Sequence, residues 1–126
     1  MASKQGPVVL IVDDNADGAD SLGLLLEMLG AKVRVVYSGQ AALAALEAFQ
    51  PAVVLLDVGM PELDGYEVAR RIRATQDGRY LYLVAVTGYG QPKDRDQALA
   101  AGFDDYLVKP FDRDRLATLL AAARRA

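Results

Sequence analysis

The chain contains no cysteine and no histidine. The first absence excludes disulfides, thiolate zinc sites and cysteine nucleophiles, and the second excludes a Ser-His-Asp arrangement and most transition-metal sites. No apolar run approaches the roughly 18 residues of a membrane span, and a net charge of −3 argues against a sequence-independent nucleic-acid surface. Neither nucleic acid nor a membrane is expected as a partner. The opening "MASKQG" lacks the apolar core of a signal peptide, so residues 1–6 read as a frayed or cloning-derived start and the expected compartment is the cytoplasm. What chemistry remains has to run on carboxylates, lysine and hydroxyls.

What is present is enough for one real core: 126 residues, 52% hydrophobic, with the domain expected over residues 7–124. Apolar runs alternate with helical patterns five times. "PVVLIV", "AVVLL" and "YLYLVAV" are near-continuous apolar stretches of strand length, as parallel strands buried on both faces require. "KVRVV" and "FDDYLV" are half polar and suit the two edges of a sheet. Leu22, Leu25, Leu26 and Leu29 recur at helical spacing, as do Ala42, Ala45, Leu46 and Phe49, and Leu116, Leu119, Leu120 and Ala123. Asp64 with Glu67 three residues later resembles a capping box for a helix running to Ala74, and 92–101 is a further, mostly polar helix. Gly30 and Gly102 stand where helices should end. Arg70, Arg71 and Arg73 read as a solvated basic face.

Five strand–helix repeats predict an α/β, doubly wound, flavodoxin-like domain whose parallel sheet, with the polar strands at its edges, has the order 2-1-3-4-5. In such a sheet ligands bind beyond the carboxyl ends of the strands, at the crevice between strands 1 and 3. The residues that follow the strands are Asp13 and Asp14, Asp57, Thr87 and Lys109. Singly each has an ordinary alternative: a helix N-cap for Asp13 or Asp14, a turn residue for Thr87, a solvated side chain for Lys109. Asp57 is harder to dismiss, because a charge ending a buried strand is costly unless it is paired or faces a polar crevice. Jointly, the ordinary readings require five coincidences on one rim.

Three clustered carboxylates repel one another unless one is protonated or a cation sits among them. Mg²⁺, which keeps waters and shares phosphoryl oxygens, fits better than a larger ion, with Mn²⁺ as a substitute. With a lysine and a hydroxyl alongside, the combination points to phosphoryl transfer. A carboxylate is already ionised at neutral pH and needs no general base, and centrally placed Asp57 is the candidate nucleophile.

"LIVDDN", "LLDVGMPELDG", "AVTGY" and "YLVKPF", in this order and covering nearly the whole chain, resemble the receiver domain of two-component response regulators. The resemblance implies Asp57 as phosphoacceptor, with Mg²⁺ held by Asp13, Asp14, Asp57 and the Gly59 backbone carbonyl. It further implies Thr87 and Lys109 on the phosphoryl group, Tyr106 as an aromatic switch, and a cis peptide between Lys109 and Pro110. Its expected donor is a histidine kinase or a histidine phosphotransfer protein, and its output a protein contact. "TGYGQPKDRDQALAAGFDDYLVKPF" looks more like receivers attached to hybrid histidine kinases than like DNA-binding regulators. Two alternatives stay open. A receiver-like module that signals without phosphorylation is one. A phosphatase of the haloacid dehalogenase type is the other, although "DVG" after Asp57 lacks the second acid which that class uses. Beside the site, Gly59 offers no side chain against an attacking water, whereas Tyr89 is large enough to overhang the phosphoryl group and is expected to point inward. Pro61 and Gly65 turn the loop after Asp57 and Asp64 starts the next helix, where ordinary turn chemistry and a direct role carry equal weight.

Overall fold

The computed structural model describes residues 6–58, 65–88, 92–109 and 112–125. Gly59, Pro61, Asp64, Tyr89 and Pro110, and the expectations attached to them, lie outside the described residues. Strands and helices alternate as β1 (Val8–Val12), α1 (Ala16–Met28), β2 (Lys32–Val36), α2 (Gly39–Phe49), β3 (Val53–Asp57), α3 (Gly65–Ala74), β4 (Tyr82–Thr87), α4 (Pro92–Ala101), β5 (Asp105–Val108) and α5 (Arg113–Arg125). The strands form one parallel sheet in the order β2-β1-β3-β4-β5. Both half-polar strands are at the edges, because only there can Lys32 and Arg34 stay in water.

Strand alternation sorts the core into two layers. Leu10, Val12, Val54, Leu56, Leu83 and Ala85 face α2, α3 and α4. Val9, Ile11, Val53, Leu55, Val84, Val86 and Leu107 face α1 and α5. Every residue of the central strands β1 and β3 from Val9 to Val12 and from Val53 to Leu56 is buried, so their apolar runs show no alternation. The mostly polar α4 contributes Ala98 and Ala101 to the first layer, a narrow stripe that its sequence conceals. Gly30 and Gly102 end α1 and α4 with φ of 98° and 109°, the left-handed turn that glycine adopts without strain.

Two of the quoted runs begin two residues before their strands. β4 begins at Tyr82, leaving Tyr80 84% exposed, and β5 begins at Asp105, with Phe103 buried beneath the turn that precedes it. The arginine row on α3 also divides. Arg70 and Arg71 are exposed and share Glu67, lowering its carboxyl below the usual range. Arg73 is not part of that solvated face. It reaches across the amino-terminal end of the sheet to the carbonyls of Gly102 (2.8 Å), Gly78 (3.2 Å), Arg79 (3.3 Å) and Leu81 (2.8 Å) and to the Asp104 carboxylate (2.7 Å). Among the described residues no helix is long and apolar enough to cross a membrane.

Candidate functional site

The strand that carries Asp13 is central, and its chain leaves the sheet under constraint. The Asp13 N–H donates to the Val36 carbonyl at 3.1 Å, extending the β1–β2 pairing by one residue. Alternation then turns its side chain toward the α1/α5 layer, where it is 6% exposed. The Asn15 N–H donates to Asp13 Oδ1 at 2.9 Å, and the Asn15 side chain accepts from the Gly18 N–H at 3.2 Å, capping α1. Asn15, rather than Asp13 or Asp14, is therefore the N-cap. Sequence reasoning missed it because two acids precede it, although a cap residue directly before "ADGADSLGLLL" is a readable signal. Asp13 gives only Oδ1 to this turn, so its Oδ2 and the Asp14 carboxylate stay clear of the cap.

Asp57 ends β3 on the same layer, opposite Val86 of β4. One carboxylate oxygen each from Asp13, Asp14 and Asp57 lies within 4.8 Å of the others, with Asp14 the exposed member. Lys109, whose N–H continues the β4–β5 pairing through the Thr87 carbonyl at 2.8 Å, brings Nζ to 3.9 Å from both Asp13 Oδ2 and Asp57 Oδ2. That distance is the outer limit of an ion pair, and one ammonium cannot neutralise three carboxylates. Burial pushes the Asp13 carboxyl above its ordinary 3.8, and the neighbouring Asp57 adds to the rise, while the Asn15 N–H and Lys109 oppose it. Below the rim, a crevice of about 410 Å³ runs down between α1 and the sheet over Ile11, Leu55 and Val86.

Thr87 ends β4 on the other layer, 8% exposed, one residue past the strand partner of Asp57. Tyr106 of β5 lies on that same layer, half-buried and paired with Ala85. The structure thus gathers Asp13, Asp14, Asp57 and Lys109 around one opening, and places Thr87 and Tyr106 together on the adjoining face. The chemistry available is a hard-cation site beside a carboxylate and a lysine.

The family model of the response regulator receiver domain matches residues 9–121. The chain belongs to that family. A receiver domain is a phosphoacceptor of signal transduction rather than a turnover enzyme, and its phosphoryl source is a histidine kinase. Among its relatives, an uncharacterised 14.6 kDa protein of Leptolyngbya boryana is 43% identical over 104 residues, covering 82% of this receiver and 79% of that protein. The sensor histidine kinase GacS of Pseudomonas protegens is 37% identical over 121 residues, covering 94% of this chain but only 13% of the kinase. Among solved structures, the receiver domain of the Pseudomonas aeruginosa sensor histidine kinase PA1611 superposes with a TM-score of 0.87 at 35% identity. It covers 96% of this chain and 99% of that one, and it holds a magnesium ion in its active-site cleft. The doubly wound sheet of order 2-1-3-4-5 expected from the strand–helix alternation is the sheet observed, and it is shared with the solved receiver domain.

Proposed function

We propose that this receiver takes a phosphoryl group onto Asp57 in a Mg²⁺-dependent reaction and answers by rearranging the Thr87–Tyr106 face. The observation that carries this reading is the convergence of Asp13, Asp14 and Asp57 within 4.8 Å beside a lysine, at the end of a buried central strand. The fit to a metal rests on this chain's own donors. Three hard oxygens, one on a carboxyl whose pKa burial has raised, lie within 4.8 Å of one another, and oxygen donors of this kind are what a small divalent cation takes. Asp13, Asp14 and Asp57 would hold Mg²⁺, with the Gly59 carbonyl as a further ligand. When bound, the ion would offset most of the acids' charge and supply a positive partner for the phosphoryl oxygens.

The residues of the chain do the rest. An Asp57 oxygen attacks phosphorus, the O–P bond forms as the donor's P–N bond breaks, and the leaving imidazole of a phosphohistidine takes up a proton. Lys109 stands where it can balance charge on the transferred group. Thr87 supplies a hydroxyl to the new phosphoryl oxygens, and its inward movement vacates space that the Tyr106 ring on the neighbouring strand fills. The donor is a histidine kinase or a phosphotransfer protein, and the output partner is a protein that reads the altered face. The kinase-attached relatives support a place in a hybrid kinase pathway.

Incubation with Mg²⁺ and acetyl phosphate, followed by mass spectrometry of the intact protein, tests the reading. A single phosphoryl group on the wild type and none on Asp57→Asn is expected. Labelling of the variant, continuous turnover, or an unlabelled wild type would each overturn the assignment.

A further inference from the structure

β5 is an edge strand, and its pairing with β4 turns the Tyr106 N–H and C=O toward the open side of the sheet. Edge groups of this kind ordinarily fall to water or to an added strand. Here both are taken. The Tyr106 N–H donates to Asp105 Oδ1 at 2.7 Å, and the Tyr106 carbonyl accepts from Arg115 Nη2 at 2.9 Å. The same Arg115 nitrogen lies 3.2 Å from each oxygen of Asp105, and the Tyr82 hydroxyl reaches Asp105 Oδ2 at 3.3 Å. An ion pair between α5 and β5 therefore clasps the peptide groups on both sides of one residue, the aromatic that the phosphoacceptor reading makes the switch.

We propose that Arg115 is a positioning residue for the Thr87–Tyr106 response. With Asp105 it fixes the Tyr106 backbone, so that a change at Thr87 is converted into rotation of the ring alone and is not dissipated by sliding of a four-residue edge strand. The pair is partly exposed, with side chains 37% and 30% accessible, so its importance lies in direction more than in strength. The clasp also explains why this short edge offers no free backbone pair at Tyr106 to a passing strand. The inference rests on the phosphoacceptor reading, and its test separates the two.

The experiment is NMR of Mg²⁺-loaded protein with and without beryllofluoride, following the Val58 amide as the reporter of the Asp57 site and the Tyr106 ring as the reporter of the response. In the wild type both should move. In Arg115→Ala the Val58 amide should still move to saturation, while the Tyr106 ring change falls to about half or less of its wild-type size, reflecting lost coupling between the sites. Arg115→Lys, which keeps a cation and N–H donors, should restore part of it. Asp105→Asn, which keeps an acceptor for the Tyr106 N–H and removes the ion pair, provides a milder version should Arg115→Ala unfold. A purely stabilising arginine would lower the urea midpoint of the variants and leave the ring response whole, and that result would overturn the proposal. Failure of beryllofluoride to move Val58 in the wild type would overturn the phosphoacceptor reading and this one with it.

Discussion

The two ends of the sheet treat charge in opposite ways. At the amino-terminal end, Arg73 directs its donors to four carbonyls and a carboxylate at 2.7 to 3.3 Å, and the same Asp104 oxygen accepts from the Leu83 N–H at 2.9 Å. At the carboxyl end, three acids face one lysine that comes no nearer than 3.9 Å to Asp13 or Asp57. One end is saturated and ties α3, the turn after it, β4 and the α4–β5 turn together. Among the described residues the other sets one lysine against three acids, a balance that a cation would improve.

The sharpest way to break this comparison is Arg73→Met, which keeps much of the side chain's bulk and strands several part-buried carbonyls and Asp104. It should destabilise the protein by about 3 kcal/mol in urea denaturation. A loss below roughly 1 kcal/mol would make Arg73 an ordinary surface residue and erase the contrast. A smaller effect sharpens the same end. Gly102→Ala forces a methyl into a positive-φ site and to 2.9 Å from Arg73 Cγ, whereas at Gly30, also positive in φ, the methyl meets nothing within 4 Å. The first should cost about 2 kcal/mol and the second about 1 kcal/mol. Equal losses by thermal unfolding would mean that Arg73 shifts without penalty.

At the other end the sign reverses. Asp13→Asn should stabilise the metal-free protein, on the order of 1 kcal/mol, because it removes a buried charge among like charges while its Oδ1 can still accept from Asn15. The pH dependence follows from the raised pKa. A carboxyl raised in the folded state contributes most to stability when protonated in both states, below about 3.8, and loses that contribution as pH rises through its folded value. The advantage of the variant should therefore be largest near neutral pH and shrink as pH falls toward the unfolded value. It should also vanish or invert at saturating Mg²⁺. A stability difference between wild type and variant that stays constant with pH would show that Asp13 carries no such penalty.

Legibility followed the range of the interactions. The central strands were readable because Val9–Val12 and Val53–Leu56 carry their burial in their own side chains, and the edges because Lys32 and Arg34 carry their solvation. The rim residues were readable because strand ends put them in register without any further information. Arg73 was not, since its acceptors are backbone atoms and an acid up to 31 residues away, and no pattern on α3 distinguishes it from Arg70 or Arg71. The capping role of Asn15 was masked by the two acids before it, and the Arg115–Asp105 clasp by the loop that separates the pair in the chain.

The order of the strands also allows an assembly that follows the chain. After β2 has taken one side of β1, every later strand is added on the other: β3 against β1, β4 against β3, and β5 last. A chain emerging from the ribosome thus has Asp13, Asp14 and Asp57 available to meet well before Lys109 exists to stand beside them. A nascent domain that paired its strands in this order would bring the three acids together before Lys109 could stand beside them, and a cation from the surroundings would then aid folding before it served in signalling. Pulse-labelled hydrogen exchange during refolding should find the β5 amides protected last, with the interval shortened by Mg²⁺.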